Sequence, residues 1–403
     1  MKKYDVIVVG GGAAGMMAAI AAAKEGAKTA LLEKNEKLGK KIYITGKGRC
    51  NLTNACETEE FFSAVNTNAK FMYSSLYTLT NFQTIELFQE WGLSTKVERG
   101  NRVFPVSDKS SDVIQCLGKE CKRSGVDIHL NTPCQQILYD HDTACAVRTA
   151  DELWQADSII LATGGLSYPS TGSTGDGYKL AQQAGHTLVE PVPSLVSLVS
   201  RDPDCKKMMG LALKNVTLTL LEDGKAIFDE QGEMLFTHFG ISGPLTLSAS
   251  SHLGDMKKHK YHAEIDLKPA LSEEQLYDRI TRDFALLANH AAQGAMVKLL
   301  PSSMQPVMVA RWGIDPATKA NQITREQKRE LVQLIKHWQV PIDARGDLAH
   351  AVITSGGVSV REVDPKTMQS KKALGLYFAG EVLDVDAYTG GYNLQIAFCT
   401  AQS

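Results

Sequence analysis

The first 33 residues constrain the fold more than any other part of this chain. A short apolar run at 5–9 leads into the glycine-rich sequence GGGAAG at 10–15, and an alanine-rich stretch follows. A second apolar run at 28–32 then ends at Glu33. This order predicts a strand, a glycine turn, a helix and a second strand, which together begin a doubly wound α/β fold.

The glycines of this turn have the spacing G-x-G-x-x-G, which is typical of dinucleotide-binding turns. Gly10 permits the tight turn, Gly12 lets a pyrophosphate approach the backbone, and Gly15 allows the helix to pack closely on the strand. Free N–H groups at the start of the helix attract phosphate. Glu33 lies where an acid accepts hydrogen bonds from an adenosine ribose. We therefore expect a dinucleotide site, with an ordinary glycine-rich turn as the alternative.

Composition and charge exclude several other classes of protein. The chain has 403 residues, of which 43% are hydrophobic and 22% charged, as in a globular protein of two or three domains. Its net charge is −2, so no basic face for nucleic acid is expected. The eight cysteines show no C-x-x-C spacing, which favours free thiols and argues against a metal site. The chain enters a strand without a signal peptide and has no membrane span, so we expect a cytoplasmic protein.

The rest of the chain predicts one domain interrupted by an insert. Helical spacing covers 59–92 and 111–124, a hairpin covers 134–149, and a buried strand at 156–162 runs into Thr163-Gly164-Gly165. From 191 the pattern changes to short strands at 195–200, 215–221, 225–229 and 233–237, and then to helices at 272–300, 303–312 and 324–338. We expect residues 1–190 and 350–403 to form the first domain, with a β-barrel insert at 191–270 and 338–349 and a helical insert at 271–337.

Three longer motifs resemble a known family. They are GKGRCNLTN at 46–54, THFGISGP at 237–244 and AGEVLDVDAYTGGYNLQ at 379–395. With the glycine turn and the ATGG at 162–165, they resemble the BaiN and aminoacetone-oxidase-like family of bacterial FAD-binding oxidoreductases, within the glutathione-reductase structural superfamily. The resemblance covers essentially the whole chain. It implies FAD, a Rossmann-like FAD-binding domain in an α/β fold, and an inserted β-barrel with a helical subdomain.

The residues expected to bind FAD follow from these motifs. They are Gly10, Gly12, Ala13, Ala14, Gly15, Glu33, Lys34, Lys40, Gly46, Gly48, Arg49, Cys50, Asn51, Cys134, Ala162, Thr163, Gly164, Gly380, Glu381, Gly391, Tyr392, Asn393 and Leu394. The helix that follows Gly391 presents unpaired N–H groups, which would stabilise the negative charge of a reduced flavin.

Three residues are candidates for catalysis. His238 lies in a loop flanked by phenylalanine and glycine, where it would transfer a proton beside flavin N5 or, alternatively, bond loop carbonyls. Tyr168 would face the substrate or shape a Tyr-Pro turn, and Arg102 would bind a carboxylate or lie exposed in its turn. Cys50 has no nearby cysteine partner, so disulfide-reductase chemistry is not expected.

The sequence contains one dinucleotide fingerprint, so a separate domain for NAD(P)H is not expected. If NAD(P)H reduces the flavin, it binds transiently; otherwise the substrate reduces the flavin and oxygen reoxidises it. The predicted activity is hydride transfer at flavin N5 to or from a small molecule. A flavin-dependent RNA-modifying enzyme and a flavin-binding protein without turnover are the alternatives.

Overall fold

A computed structural model describes residues 2–403, and its elements are numbered here in chain order. The strands are β1 (Lys2–Val9), β2 (Thr29–Leu32), β3 (Thr53–Asn54), β4 (Thr95–Glu98), β5 (Arg102–Pro105), β6 (Asp127–His129), β7 (Gln136–Asp140), β8 (Thr143–Arg148), β9 (Leu153–Leu161), β10 (Leu188–Ser194), β11 (Leu198–Val199), β12 (Ala212–Glu222), β13 (Lys225–Thr237), β14 (Gly240–Ser242), β15 (Tyr261–Asp266), β16 (Trp338–Ile342), β17 (Ala344–Arg345), β18 (Ile353–Val358) and β19 (Leu376–Phe378). The helices are α1 (Ala13–Lys24), α2 (Lys40–Ile44), α3 (Thr58–Ser63), α4 (Tyr73–Thr78), α5 (Asn81–Glu90), α6 (Ser110–Arg123), α7 (Asp176–Gln183), α8 (Pro203–Lys207), α9 (Pro244–Ser250), α10 (Glu273–Leu286), α11 (Ala292–Ala295), α12 (Gln305–Trp312), α13 (Arg325–Lys336) and α14 (Tyr392–Gln402).

These elements divide into two compact units. Unit 1 consists of the chain up to Ser194 and from Asp347 onward, and unit 2 is the continuous segment Leu195–Gly346. Each unit has a hydrophobic core of its own.

Unit 1 is built on a seven-stranded sheet with the order β6-β2-β1-β9-β8-β7, in which β19 also pairs with β9. Strands β6, β2, β1, β9 and β19 are parallel, so their carboxyl ends lie at one edge of the sheet. The strand order reverses at β1, because β2 lies on one side of it and β9 on the other. In a doubly wound fold, ligands bind in the crevice at such a reversal. The predicted α/β class with a Rossmann-like domain is confirmed.

Helix α1 lies in the core of unit 1. Its residues Ala14–Ile20 are all buried, and its sequence is alanine-rich with two methionines. Small side chains let α1 pack closely against β1 on one side and against α6 and α14 on others. The glycine turn that precedes α1 is therefore held by packing on several sides.

Unit 2 contains an antiparallel seven-stranded sheet with the order β16-β15-β12-β13-β14-β11-β17. Its two end strands are neighbours in the chain, because only Asp343 separates β16 from β17. The sheet must therefore curl round until its ends meet, as in a small barrel. Residues from the strands and from α10, α12 and α13 form one shared core.

Two strand predictions in unit 2 were wrong. The segments 225–229 and 233–237 are one continuous strand, β13, because Gly232 between them pairs with Val216 and pairing with β12 resumes at Met234 after a shift of register. The predicted strand at 195–200 shrinks to β11, since Leu195 adopts a left-handed backbone with φ of 53°.

Two helix predictions in unit 2 extend too far. The helix predicted at 272–300 stops at Leu286, because the carbonyls of Ala288 and His290 accept hydrogen bonds from Asn321 and Ala320. The helix predicted at 324–338 stops at Lys336.

Candidate cofactor site

The glycines of the turn between β1 and α1 have two kinds of surroundings, since Gly10 and Gly15 are closely packed and Gly12 borders open space. A Cβ atom added at Gly10 would lie 2.5 Å from the Ala162 carbonyl oxygen, and one at Gly15 would lie 1.7 Å from the Gly10 carbonyl oxygen. Both positions therefore require glycine for the turn to pack on itself and on the end of β9. A Cβ at Gly12 would meet no atom within 4 Å. Gly12 thus borders open space at the N-terminus of α1, and no side chain caps this end of the helix.

Glu33 follows β2 directly and is 7% exposed. One carboxylate oxygen accepts a 2.6 Å hydrogen bond from the backbone N–H of Gly11. The other accepts hydrogen bonds from the backbone and side-chain nitrogens of Asn35, at 2.7 and 2.6 Å. Since a carboxylate offers about four acceptor positions, Glu33 holds the turn and keeps capacity for a ribose hydroxyl.

The ends of β9 and β19 meet the glycine turn. Gly380 packs on α1, since a Cβ there would lie 2.7 Å from the Ala14 Cβ atom. A Cβ at Gly164 would lie 3.8 Å from a Glu381 carboxylate oxygen. The predicted segments at Ala162–Gly164 and Gly380–Glu381 therefore converge, although more than 200 positions separate them in the sequence.

The start of α14 is joined to the segment that contains Asn51. The Asn54 side chain donates a 3.0 Å hydrogen bond to the Gly390 carbonyl oxygen, and a Cβ at Gly391 would lie 2.3 Å from the Thr53 carbonyl oxygen. Gly391 is the residue before the first turn of α14, and it has no side chain with which to cap that turn. Its φ of 101° favours glycine.

Two buried polar atoms at this edge lack a partner within residues 2–403. They are the Asn51 Oδ1 atom and the Thr163 hydroxyl oxygen. Buried polar groups are normally hydrogen-bonded, so the Asn51 Oδ1 atom suits a donor of a bound flavin nucleotide. The Thr163 hydroxyl instead packs against α7, since a Cβ at Gly177 would lie 1.9 Å from it. Together with the open space at Gly12, Asn51 shows that the residues present fit FAD.

One polar cluster at this edge is not apparent from the sequence. Lys41 Nζ lies 2.5 Å from Glu381 Oε2 and 2.6 Å from the Ser167 hydroxyl oxygen. Glu381 Oε1 accepts hydrogen bonds from the Ser167 hydroxyl and from the backbone N–H of Thr354, both at 2.8 Å. Lys41, Ser167 and Thr354 were not among the predicted site residues, because only the fold brings them to Glu381.

The predicted cationic contacts are engaged with acids. The ammonium group of Lys34 lies 2.6 Å from Asp176, and that of Lys40 lies 3.3 Å from Glu36.

Arg49 is held in the same way, in an ion-pair cluster with Glu98 and Asp108. Its guanidinium also lies 4.1 Å from the centre of the Phe104 ring. Two carboxylates therefore neutralise Arg49, and its contact with FAD stays a prediction.

The two cysteines predicted to bind FAD differ in exposure, but the pKa of the thiol is raised in both. Cys50 is fully buried and has a φ of 59°, and burial raises the pKa of its thiol to about 12. Cys134 is half-buried, and burial likewise raises the pKa of its thiol to about 12. Neither thiol is ionised near neutral pH, and contact of either cysteine with FAD stays a prediction.

The remaining predicted cofactor residues lie at the starts of α1 and α14 and in the loop after α2. Gly46 and Gly48 adopt φ of 56° and 83°, and Ala13 begins α1. The Asn393 side chain bonds the backbone N–H and carbonyl of Ala387, and so fixes the loop before α14.

Two residues at the start of α14 face aromatic and apolar groups. The Tyr392 ring packs edge-on to Phe61, with ring centres 5.2 Å apart. Leu394 packs against the core of unit 1.

The three catalytic candidates do not share one unit. Arg102 and Tyr168 belong to unit 1, and His238 belongs to unit 2. Arg102 is exposed and its Nε donates to the Arg99 carbonyl at 3.0 Å. Tyr168 has a φ of 52° and precedes a short 3-10 helix, so its backbone shapes a turn.

His238 occupies the tip of a tight hairpin. It is exposed and, with Phe239, forms the two-residue connection between Thr237 and Gly240, which pair across β13 and β14. Its ring packs edge-on to Phe239 at 4.9 Å. The hydrogen bonds to loop carbonyls suggested as an alternative are not part of this arrangement. A catalytic role for each of the three candidates stays a prediction.

Within residues 2–403, the helices are all too short or too polar to cross a membrane.

Known proteins resemble this chain along its whole length. Residues 4–403 match the family described as HI0933-like protein Rossmann domain. The ribosomal RNA dihydrouridine synthase of Haemophilus influenzae is 32% identical over 400 residues, covering 98% of this chain and 96% of the relative. The 3-dehydro-bile acid delta(4,6)-reductase of Clostridium scindens is 32% identical over 397 residues, with the same two coverages.

A solved structure supports the fold. The 3-ketosteroid delta1-dehydrogenase from Sterolibacterium denitrificans superposes with a TM-score of 0.51 at 13% identity, covering 100% of this chain and 98% of that one. The family, the cofactor geometry and the fold agree with the sequence-based predictions of FAD and of an oxidoreductase, and these predictions are confirmed. The chain belongs to the HI0933-like Rossmann family, and it is an FAD-dependent oxidoreductase.

Proposed function

We propose that this enzyme reduces a carbon–carbon double bond conjugated to a carbonyl group. The observation that carries the proposal is the chemistry common to two relatives of equal similarity. A dihydrouridine is a uridine whose ring double bond, conjugated to a carbonyl, has been reduced. A 3-dehydro delta(4,6) bile acid carries double bonds conjugated to its 3-keto group. The rings differ, but the reduced bond is of the same kind in both.

The reaction adds a hydride to one carbon of the double bond and a proton to the other. When bound and reduced, FAD would supply two electrons as a hydride, and a reductant such as NADH or NADPH would first reduce it. The carbon farther from the carbonyl is the electrophilic one, so it receives the hydride, and the carbon next to the carbonyl takes a proton. The protein must therefore hold the substrate ring, exclude water and deliver one proton. This assignment is consistent with BaiN-like membership, which the bile-acid relative supports.

Residues of unit 1 support cycling between oxidised and reduced cofactor. The start of α14 at Gly391 has no side-chain cap and points its N–H groups away from the helix. Such groups stabilise an anion by about 0.3–1 kcal/mol, and up to ~2 kcal/mol when partly buried. A difference of ~1 kcal/mol corresponds to about 20 mV for a two-electron couple, so this helix adjusts the potential of the cofactor.

Uridine in ribosomal RNA is the first substrate to test. The dihydrouridine synthases of Haemophilus influenzae and Escherichia coli are 32% and 28% identical to this chain, which spans 96% and 97% of their lengths. The near-neutral net charge of −2 had favoured a small molecule instead. A free conjugated enone is therefore the second substrate, and the bile-acid relative supports it.

A single anaerobic experiment separates these substrates. Purified protein is reduced with dithionite, with NADH or with NADPH, and is then mixed with unmodified ribosomal RNA, with a 3-keto steroid that carries conjugated double bonds, or with the same steroid lacking the keto group. Return of the oxidised flavin spectrum and mass analysis of the product report reduction. We expect the RNA or the enone, but not the steroid without a keto group, to reoxidise the flavin. Reoxidation by the steroid without a keto group, or by neither of the other two substrates, contradicts the proposal.

A further inference from the structure

Two segments of unit 1 carry a strong excess of positive charge. Residues 34–49 and 95–109 contain ten lysines and arginines and three acids, a net charge of +7, whereas the whole chain carries −2. The near-neutral total therefore conceals an uneven distribution of charge. Lysine and arginine gathered on one face are the electrostatic feature typical of proteins that bind nucleic acid.

The fold joins these two segments into one surface, which we call the basic face. It consists of α2 with its flanking loops and of the β4–β5 hairpin with the residues that follow it. Arg49 in the first segment pairs with Glu98 and Asp108 in the second. The Tyr43 carbonyl oxygen accepts a 2.8 Å hydrogen bond from the hydroxyl of Ser110, the residue after the second segment.

The three acids of the basic face are all paired, so the charge that remains is positive. Glu36 pairs with Lys40, whereas Glu98 and Asp108 each pair with both Arg49 and Lys96. Five further cations are exposed and have no ion-pair partner among residues 2–403, namely Lys37, Lys47, Arg99, Arg102 and Lys109. Like charges repel one another, so a group of unpaired cations suits a polyanion.

An exposed aromatic ring lies beside these cations. The Tyr43 side chain of α2 is 57% exposed, and Lys37 Nζ lies 5.9 Å from the centre of its ring. A ring beside cations lets an unpaired base stack while its phosphates are neutralised. A lipid surface would instead require a longer helix with an apolar face, and α2 has only five residues. The arrangement therefore favours RNA.

The basic face begins at the sheet edge that fits FAD. Its first residues follow Glu33 at the carboxyl end of β2, and the Gly39 N–H donates a 2.9 Å hydrogen bond to the Gly11 carbonyl oxygen in the glycine turn. RNA held on this face would therefore lie next to the edge at which its uridine has to be reduced.

We infer that the basic face is the surface through which this enzyme binds RNA, with its unpaired cations on phosphates and Tyr43 stacked on a base. The inference rests on the proposed function in taking ribosomal RNA as the substrate. Contacts to phosphate carry no sequence information, so the basic face supplies affinity and does not choose the uridine.

The RNA affinity of the oxidised, FAD-loaded enzyme tests the inference. A transcript of ribosomal RNA with unmodified uridines is titrated at about 50–200 mM salt, and filter retention reports binding. The charge variant carries four substitutions, Lys37→Gln, Lys47→Gln, Arg99→Gln and Lys109→Gln. We expect it to bind at least about tenfold more weakly than the wild type, with the slope of log K against log salt reduced by about 3. Arg102 is left unchanged because it is a candidate for catalysis.

A matched control removes the same charge from the opposite edge of the sheet. It replaces exposed lysines that lie at or before the starts of the parallel strands β1, β2, β6 and β19, namely Lys3, Lys28, Lys122 and Lys371, by glutamine. This control should bind RNA within a few-fold of the wild type. FAD content and thermal unfolding check that each variant folds.

Two substitutions of Tyr43 test the stacking separately from the charge. Tyr43→Ala should weaken binding by about tenfold and leave the salt dependence unchanged, because it removes a ring and no charge. Tyr43→Phe keeps the ring and should bind RNA like the wild type.

Binding and reduction are measured separately, so this inference and the proposed function fail in different ways. RNA that binds through the basic face but is not reduced would support the inference and contradict ribosomal RNA as the substrate. Equal affinities of the wild type and a folded charge variant, equal losses in the charge variant and its control, or wild-type binding to phosphatidylserine vesicles but not to RNA would overturn the inference.

Discussion

Gly12 and Gly15 are three positions apart, yet their surroundings are opposite. A side chain at Gly15 would collide with the Gly10 carbonyl, whereas one at Gly12 would enter open space. The backbone at Gly12 has a φ of −84°, which any residue adopts. Gly15 is thus required by the protein itself, while Gly12 keeps space for a ligand.

This difference gives a prediction for Gly12→Val. The variant should fold with a loss of about 1 kcal/mol, because valine is a poor residue at a helix N-terminus. It should lose FAD almost completely, since the branched side chain fills the place of the pyrophosphate. The flavin-to-protein absorbance ratio and urea unfolding measure the two effects. Gly118→Val is the control, because Gly118 in α6 also borders open space but lies away from the glycine turn. Normal FAD content in Gly12→Val would contradict the placement of the pyrophosphate at Gly12.

His238 gives a second prediction at this scale. If the exposed imidazole supplies the proton that accompanies the hydride, His238→Ala should lower turnover by about 10²–10⁴ and leave FAD content unchanged. Phe239→Ala removes the neighbouring ring and serves as the comparison for simple disturbance of the hairpin. Full activity of His238→Ala would leave Arg102 and Tyr168 as the next candidates.

At the scale of elements, Glu362, which follows β18, connects the residue before β10 to the segment before β19. Its carboxylate accepts hydrogen bonds from the backbone N–H and hydroxyl of Thr187, at 2.8 and 2.9 Å, and pairs with Lys372 at 2.8 Å. Burial alone would raise the pKa of this carboxyl, but the hydrogen bonds from Lys372 and Thr187 outweigh it and lower the pKa to about 2.

This lowered pKa predicts how stability changes in acid. The unfolded chain binds a proton at Glu362 near pH 4.5, whereas the folded chain resists it until about pH 2. The stabilisation is therefore complete above pH 4.5 and is lost as the pH falls toward 2. Glu362→Gln should be less stable than wild type at pH 7, and the difference should shrink across this window. Urea unfolding at several pH values measures it, with exposed Glu86→Gln as the control. A constant difference at all pH values would contradict the assignment.

Local elements were predictable to different degrees. The strand, glycine turn and helix at the start of the chain were predicted because their signals lie within a few residues of one another. The turn between the strands predicted at 215–221 and 225–229 is equally local, and its residues Asp223 and Gly224 both have positive φ. The end of α10 was not, because distant backbone groups of Ala320 and Asn321 determine it. Tertiary contacts decide such boundaries, and sequence periodicity does not report them.

At the scale of the whole molecule, the residues that fit FAD all belong to unit 1, which has its own core. We therefore predict that a chain joining residues 1–194 to 347–403 through a short glycine-serine linker binds FAD. Ser194 already pairs with Ile353 across β10 and β18, so the linker spans a short gap. Flavin content and thermal unfolding with and without FAD test this. The shortened protein should not reduce substrate if unit 2 supplies His238. A folded protein without affinity for FAD would show that unit 2 is needed for the site.

The candidate site was only partly predictable at this scale. The glycine turn, Glu33 and the ends of β9 and β19 were recognised from local motifs. The pairing of Lys41 with Glu381 was not, because 340 positions separate the two residues. The engagement of Arg49 by Glu98 and Asp108 was missed for the same reason. Motifs predict which groups are near a cofactor, but only the fold shows which charges neutralise one another.

The division of unit 1 between two distant parts of the chain affects how the protein is made. A ribosome releases the glycine turn early, but β19 and α14 follow only after all of unit 2 has been synthesised. At about 5–20 residues per second, the roughly 200 residues after Ser194 take about 10–40 s to appear. During that time β9 has no β19 to pair with, and α1 has no α14 to cover it. Unit 2 is continuous in sequence and is therefore complete before β19 and α14 are made. We therefore expect the residues that fit FAD to come together only after these last elements have been synthesised.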